Sequence, residues 1–287
     1  MRAVILAAGF GTRMRGLSKI VPKPLLPLGE HKLIDYALSL SISLRLEPLV
    51  VLGFGSSKIK KHLKEKWPDV DFLVTENKTG DLMLSLKSAE KYVDGDFVWM
   101  GADTIFLDKS KIREMIETKS KKRRFGLLYC ESMDFSPKVT LGKGNEVIRF
   151  DITNEPISKF SSPTLYLSSP EIFDFIGKGN RDIINKLIES PKWHVFGVCY
   201  KTSDVLEAND PEGYYRMHRN MFKKSFTLNS EIKNSKIRAS YVYDSTIVNS
   251  EINSSIIMNT SCFGKKISGK LIWGSKHEDK LRLCDQL

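Results

Sequence analysis

The 287-residue chain has no apolar run approaching the roughly 18 residues that cross a bilayer as a helix, and this excludes an α-helical membrane span. Its first apolar stretch, Val4 to Ala8, breaks at Gly9, too early for the core of a secretory signal, so a cytoplasmic location is expected. Cysteine is scarce: Cys130, Cys199, Cys262 and Cys284 lie far apart with no CxxC pair, which argues against a disulfide framework and a zinc site. Glutamine is nearly missing, Gln286 being the only one, and 28% of residues are charged. That pattern accompanies heat adaptation or an AT-rich genome and says little about function. Nor is there a strong concentration of one charge. Lys and Arg outnumber Asp and Glu by 45 to 34, but apart from Lys119 to Arg124 the basic residues alternate with acids along helical stretches. No nucleic-acid partner is expected, whereas a positive field suits small phosphorylated ligands.

What is present begins at "LAAGFGTRM", where an apolar run stops at two glycines, Gly9 and Gly11, before Thr12 and Arg13. Glycine allows main-chain N–H groups to approach an anion or a flat ring closely, so a glycine turn after a buried strand suits a phosphate or nucleotide. The dinucleotide fingerprint would place a third glycine where Met14 stands, and the Gly-Lys-Ser/Thr of the P-loop is missing, so neither motif applies.

From Met1 to about Met221, short apolar runs alternate with longer amphipathic ones. Strands are expected at Ala3 to Ala8, Leu49 to Gly53, Phe72 to Val74, Phe97 to Gly101 and Phe125 to Cys130. Helices are expected at Lys32 to Leu44, Ser57 to Lys66, Leu82 to Tyr92 and Lys111 to Lys119. This alternation implies βαβ units in an α/β, Rossmann-like, three-layer and mostly parallel sheet, with ligands at the carboxyl ends of the strands. From Phe135 to Tyr166 the pattern turns strand-like, with a hairpin around Gly142 to Asn145 in a lobe facing the substrate. Helices return at Pro170 to Ile176, Arg181 to Glu189 and Asp210 to Met221, with a strand at His194 to Tyr200 between them.

Past this point the chain is periodic. Ser230, Ser235, Ser240, Ser245 and Ser250 recur every five residues, each two before Ile232, Ile237, Val242, Ile247 and Ile252. A five-residue period drifts around a helix but suits a β-solenoid, whose stacked coils bury one apolar column. The period leaves three-sided and four-sided coils open. The reading gives a catalytic domain over 1–224 and a solenoid over 225–287.

Lys23 lies between prolines in Pro22-Lys23-Pro24-Leu25-Leu26-Pro27-Leu28-Gly29, so its ammonium is delivered with little backbone freedom. "LAAGFGTRM" followed by "PKPLLPLG" closely resembles the nucleoside-diphosphate-sugar pyrophosphorylases, the sugar-phosphate nucleotidyltransferases, over the length of the catalytic domain. The tail resembles the short β-helix, usually left-handed, of ADP-glucose pyrophosphorylases.

The resemblance implies attack by a sugar 1-phosphate, or a polyol or choline phosphate, on the α-phosphorus of a nucleoside triphosphate with release of pyrophosphate. It implies nucleotide contacts from Leu6, Ala7, Ala8, Gly9, Gly11 and Thr12, with Gly53, Thr79 and Gly80 on the nucleotide side. Arg13 would neutralise the departing pyrophosphate and Lys23 the α-phosphate. Mg²⁺ would be held by Asp103 and, counting back from Asp210-Pro211-Glu212-Gly213-Tyr214, by Glu207, with Asp204 as its rival. The acceptor side departs from the family pattern. "NEPISKF" lacks the usual adjacent lysine, leaving Lys159 as its replacement, and Thr164-Leu165-Tyr166 brings Tyr166 to the acceptor. Because of these departures, a non-catalytic regulatory paralogue is the alternative. An acyltransferase solenoid is disfavoured because none of His31, His62, His194, His218 and His277 falls within the repeats. The open ends and flat sides of the solenoid imply a homo-oligomer.

Overall fold

The computed structural model describes residues 1–14, 17–77, 79–131, 137–153, 155, 157–177, 182–275 and 278–284. Phe135, Asn154, Pro156, Arg181 and His277, named above in expected elements or motifs, lie outside the described residues. The chain divides into two compact units, one of Met1–Gly9 with Ile34–Val205, the other of Phe10–Leu33 with Leu206–Leu287.

The first unit is built on a ten-stranded sheet. Its strands are β1 (Arg2–Ala7), β2 (Glu47–Leu52), β3 (Asp71–Val74), β4 (Phe97–Gly101), β5 (Arg123–Glu131), β6 (Lys138–Leu141), β7 (Val147–Asp151), β8 (Phe160–Ser161), β9 (Leu165–Ser168) and β10 (Trp193–Cys199). The order is β7-β6-β8-β5-β9-β4-β1-β2-β3, with β10 beside β5. β1 runs parallel to β2 and β4, β3 to β2, and β10 to β5, whereas every pair made by β6, β7, β8 or β9 is antiparallel. The sheet is therefore mixed, which corrects the mostly parallel expectation. The links between β5 and β9 leave no room for crossover helices, so these strands pair antiparallel. Continuous apolar runs such as Ala3 to Ala7 and Phe97 to Met100 form the centre because both faces of the sheet are covered.

Helices α1 (Leu33–Ser43), α2 (Ser56–Lys66), α3 (Leu82–Lys87), α4 (Lys109–Glu117) and α5 (Ile183–Glu189) follow the amphipathic stretches. The stretch expected to be helical to Tyr92 ends α3 at Lys87 and resumes as a 3₁₀ turn at Glu90–Tyr92, and Pro170–Phe175 is 3₁₀ rather than α. Asp35 of α1 is almost fully buried and accepts from His62 Nε2, Lys66 Nζ and Trp67 Nε1, each at 2.7 Å, so three donors on one carboxylate fix α2 to α1. The free edge of β7 is closed by Asn185 of α5, whose amide accepts from Phe150 N at 2.9 Å and donates to Phe150 O at 2.8 Å. The side chain thus copies a neighbouring strand and blunts the edge.

In the second unit, α6 (Pro211–Met221) precedes the periodic segment. Strand partners there are fifteen residues apart, Phe226 with Tyr241 and Tyr241 with Ile256, so each coil has three five-residue sides. This settles the open choice in favour of three sides. Val242, Ile247, Ile252, Ile257, Cys262 and Ile272 form the buried column. The serines lock successive coils together, because each side-chain oxygen donates to the carbonyl two residues back and accepts the N–H fifteen residues on, as Ser245 does with Tyr243 O and Thr260 N. The residue before each serine takes the corner with φ between 43° and 49°, from Asn229 through Asn249 and Ser254. Asn and Asp tolerate that conformation best, which explains their recurrence there.

His218 of α6 is fully buried, and desolvation pushes its pKa down to about 4. The unfolded chain therefore takes up this proton first, so stability present near pH 7 is lost as the pH falls from 6.5 towards 4. The loss sums to roughly 3 kcal/mol. In urea titrations across this range, His218→Gln is expected to show a flatter acid limb than the parent, and an unchanged slope would refute the assignment.

Candidate active site

In the first unit, the chain runs β1, β2, β3 to one side and then returns to place β4 on the other side of β1. Crevices for ligands form at such reversals, outside the carboxyl ends of parallel strands. Leu6 is paired with Gly101, and Ala102 N donates to Leu6 O at 3.2 Å, so Asp103 emerges beside the exit of β1. The Asp103 carboxylate folds back over Gly101. A Cβ added to Gly101 would lie 2.7 Å from Asp103 Oδ1, so a larger residue there would push the carboxylate aside.

On the other flank Gly53 directly follows β2. A Cβ there would meet Ala8 O at 2.7 Å and Ala8 Cβ at 2.8 Å, and Phe54 N donates to Ala8 O at 3.2 Å. Gly53 thus makes room for the main chain of Ala8 and sets the direction in which Leu6, Ala7, Ala8 and Gly9 leave the sheet. Because the obstruction is backbone, Gly53→Ala displaces this exit. We expect it to cost roughly 1–3 kcal/mol in denaturant unfolding and to abolish thermal stabilisation by nucleotide. Retained stabilisation would show that the exit of β1 takes no part in binding.

Thr79 and Gly80 lie on the loop after β3. Asn77 organises it: its Oδ1 accepts from Thr79 N at 2.9 Å and Thr79 Oγ1 at 2.6 Å, and its Nδ2 donates to Asp81 O at 2.8 Å. Gly80 turns with φ of 75°, and Asp81 caps α3 by accepting from Leu84 N. The Thr79 hydroxyl is therefore committed to the loop itself. Sequence reasoning passed over Asn77, although an asparagine two residues before a threonine is a common turn signal. Lys159 sits on the surface with its ammonium 3.2 Å from Glu131 and over the Phe160 ring. Tyr166 is buried in the core, stacked on Trp99 with ring centroids 4.3 Å apart. Asp204 accepts from Ser203 Oγ at 3.0 Å, and its carbonyl accepts from Leu107 N.

The second unit brings distant parts of the sequence together. Gly11 turns with φ of 62°, and its missing Cβ would lie 3.3 Å from Lys23 Cβ and 3.1 Å from Ser18 Cβ. Lys23 opens a 3₁₀ turn, Lys23–Leu25, behind Pro22, and is only 9% exposed. Thr12, Arg13 and Met14 form another 3₁₀ turn. Arg13 donates to Asn209 Oδ1 at 3.4 Å, and Asn209 Nδ2 donates to Glu207 Oε2 at 2.7 Å. A guanidinium and a carboxylate 194 positions apart thus share one amide. Asn209 was missed by sequence reasoning, although it adjoins the Asp210 cap of α6, where Asp210 Oδ1 accepts from Gly213 N at 2.7 Å.

Among the described residues, no group of three or more His, Cys, Asp or Glu is placed to hold a metal ion. Asp103 and Glu207 nevertheless supply hard oxygen donors. Mg²⁺ is commonly held by one or two carboxylates while phosphates and water complete its shell, so each carboxylate, taken within its own unit, is of a donor type that suits it.

Residues 3–132 match the MobA-like NTP transferase domain. The bifunctional protein GlmU of Methanococcus vannielii is 28% identical over 240 residues, which cover 73% of this chain and 54% of that protein. The UTP–glucose-1-phosphate uridylyltransferase AglF of Haloferax volcanii is 25% identical over 181 residues, 60% of this chain and 74% of the relative. The chain thus spans about half the length of the GlmU relatives it matches. Among solved structures, a glucose-1-phosphate thymidylyltransferase assignment from Bacillus anthracis superposes with TM-score 0.64 at 20% identity, covering 76% of this chain and 94% of that one. The inositol-1-phosphate CTP transferase of T. maritima gives 0.62 at 16% identity, covering 77% and 95%. At these identities the structures share the fold. Among the described residues, no helix is long and apolar enough to cross a membrane.

Proposed function

We propose that this chain, which carries a MobA-like NTP transferase domain and is homologous to GlmU and to a glucose-1-phosphate uridylyltransferase, transfers a nucleoside monophosphate from an NTP to a sugar 1-phosphate or a related phosphorylated alcohol, releasing pyrophosphate. The observation that carries this reading is the convergence in the second unit. Gly11 lies against Lys23, and Arg13 is tied through Asn209 to Glu207, 194 positions further along the chain.

Phosphoryl-type transfer asks the protein to align two anions and offset the charge that develops, with little covalent work. The main chain from Leu6 to Gly11 approaches the triphosphate closely. Lys23, held by its prolines, faces the α-phosphate, and Arg13 the departing pyrophosphate. Asp103 of the first unit and Glu207 of the second would each offer Mg²⁺ a carboxylate, and the cation would supply neutralisation of phosphate charge. Asn209 donates to the Glu207 carboxylate and accepts from the Arg13 guanidinium, which favours one arrangement of the two before binding.

The test is a panel: purified protein with each of ATP, CTP, GTP, UTP and dTTP, Mg²⁺, and sugar 1-phosphates, inositol 1-phosphate or phosphocholine, read by pyrophosphate release. Turnover with one pair and none after EDTA is the expected result. Nucleotide-dependent thermal stabilisation without turnover for any pair would instead favour a binding role.

A further inference from the structure

Pro22 to Leu33, the segment that carries Lys23, is bonded by side chains of α6 and of the second solenoid coil, none of which has a part in the chemistry above. Gly29 N–H is 3.0 Å from Tyr243 Oη, Tyr243 Oη is 2.9 Å from His218 Nε2, and His218 Nδ1 is 2.9 Å from Tyr214 O. Tyr214 Oη in turn donates to Pro27 O. The direction of every bond follows from the partners. A carbonyl only accepts, so His218 Nδ1 carries the proton, and in a neutral imidazole Nε2 must then accept. Tyr243 Oη therefore donates to His218 and accepts from Gly29.

Gly29 has φ of 60°, and a Cβ there would lie 2.6 Å from the Phe222 ring, so the glycine is pressed against the end of α6. Between Gly29 and Lys23 the chain has little freedom. Leu25 N donates to Pro22 O at 2.8 Å, Leu26 N to Lys23 O at 3.1 Å and Leu33 N to Leu26 O at 3.0 Å. Pro27 and Leu28 pair with Lys32 and His31, and Leu26 and Leu28 are fully buried. A constraint applied at Pro27 and Gly29 is consequently transmitted to Lys23.

We propose that Tyr243, acting with His218 and Tyr214, is a positioning residue for Lys23, so that the solenoid coil supports transfer by holding the lysine-bearing turn. This rests on the functional reading above, and its test separates the two. Tyr243→Phe removes one oxygen and leaves Gly29 N–H and His218 Nε2 without the hydroxyl that joined them. Tyr241→Phe, two residues away on the same strand, loses a hydroxyl that bonds Phe222 O instead and is the matched control.

Amide exchange of the nucleotide-free protein is expected to accelerate at Gly29, Leu25 and Leu26 in Tyr243→Phe but not in Tyr241→Phe. In turnover, kcat falls roughly 10- to 100-fold with little change in the acceptor KM, as a displaced catalytic group produces. The loss vanishes when Tyr243→Phe is added to Lys23→Ala, because the two act through one group. Acceleration confined to Gly29, or a full additional loss in the Lys23→Ala background, would overturn the proposal. A parent protein inactive with every nucleotide would count against the functional reading, while the exchange at Leu25 and Leu26 would still decide whether Tyr243 holds the turn.

Discussion

Asp103→Asn is expected to lower pyrophosphate release by about three orders of magnitude or more, the scale on which removing an essential electrostatic partner acts. The carboxylate folds over Gly101 at the end of β4, in a space that the absence of a Cβ keeps open. An amide has the same shape and fits that space, so the thermal midpoint and near-UV dichroism are expected to stay near those of the parent. The charge available to a divalent cation is lost. Residual activity above about a tenth of the parent would show that Asp103 holds no metal, and a large drop in midpoint would assign it a structural role. Measuring turnover against Mg²⁺ concentration adds a second criterion: a weakened but intact metal site regains part of its rate at high Mg²⁺.

The second large effect is expected from Ile257→Asp. Ile257 is completely buried, with Val242 and Ile272 as its strand partners in neighbouring coils. A carboxylate at this fully buried position within the aliphatic column would be shut off from bulk solvent, and burying an unpaired charge or its protonated form costs about 4 kcal/mol or more. For a chain of this size that corresponds to a drop of roughly 8–16 °C in the melting midpoint. The consequence extends past the solenoid, because residues 10–33 belong to the same compact unit. Loss of turnover below the new midpoint, together with fast amide exchange at Leu25 and Leu26, is the expected pattern. Fast exchange limited to the coils, with Leu26 still protected, would show that the lysine turn stands without them.

The readable parts of this fold were those whose signal is local. β4 begins and ends where its apolar run does, Gly101 being its last residue, and α2 differs from its expected range by one residue. The five-residue serine and aliphatic period fixed the solenoid column, because each coil repeats the same inward and hydrogen-bonding positions. Strand direction was not readable in this way. Leu165 to Ser168 is an apolar strand whichever way it runs, and only its pairing with both β4 and β5 shows it to be antiparallel.

Of the candidate site, the glycines and Lys23 stood out because backbone restriction leaves a mark in composition. Asn209 did not, since an asparagine before a helix cap looks like any other turn residue until Arg13 and Glu207 are seen on its two ends. Tyr166 is an instructive opposite. A motif position brought it to the acceptor, but its ring is packed between Trp99 and Phe125, a placement that depends on three strands far apart in the chain.

The fifteen-residue spacing of the serine bonds limits how this tail can change in length. An insertion of one whole coil returns every following residue to its own side of the prism and adds one rung to each ladder. An insertion of five keeps isoleucines pointing inward yet turns everything after it by a third of a revolution, which carries the closing pair Leu271–Ser275 and Glu278–Cys284 onto a different side. Lengthening in evolution or by engineering is therefore quantised, and a family of such tails should differ by multiples of one turn.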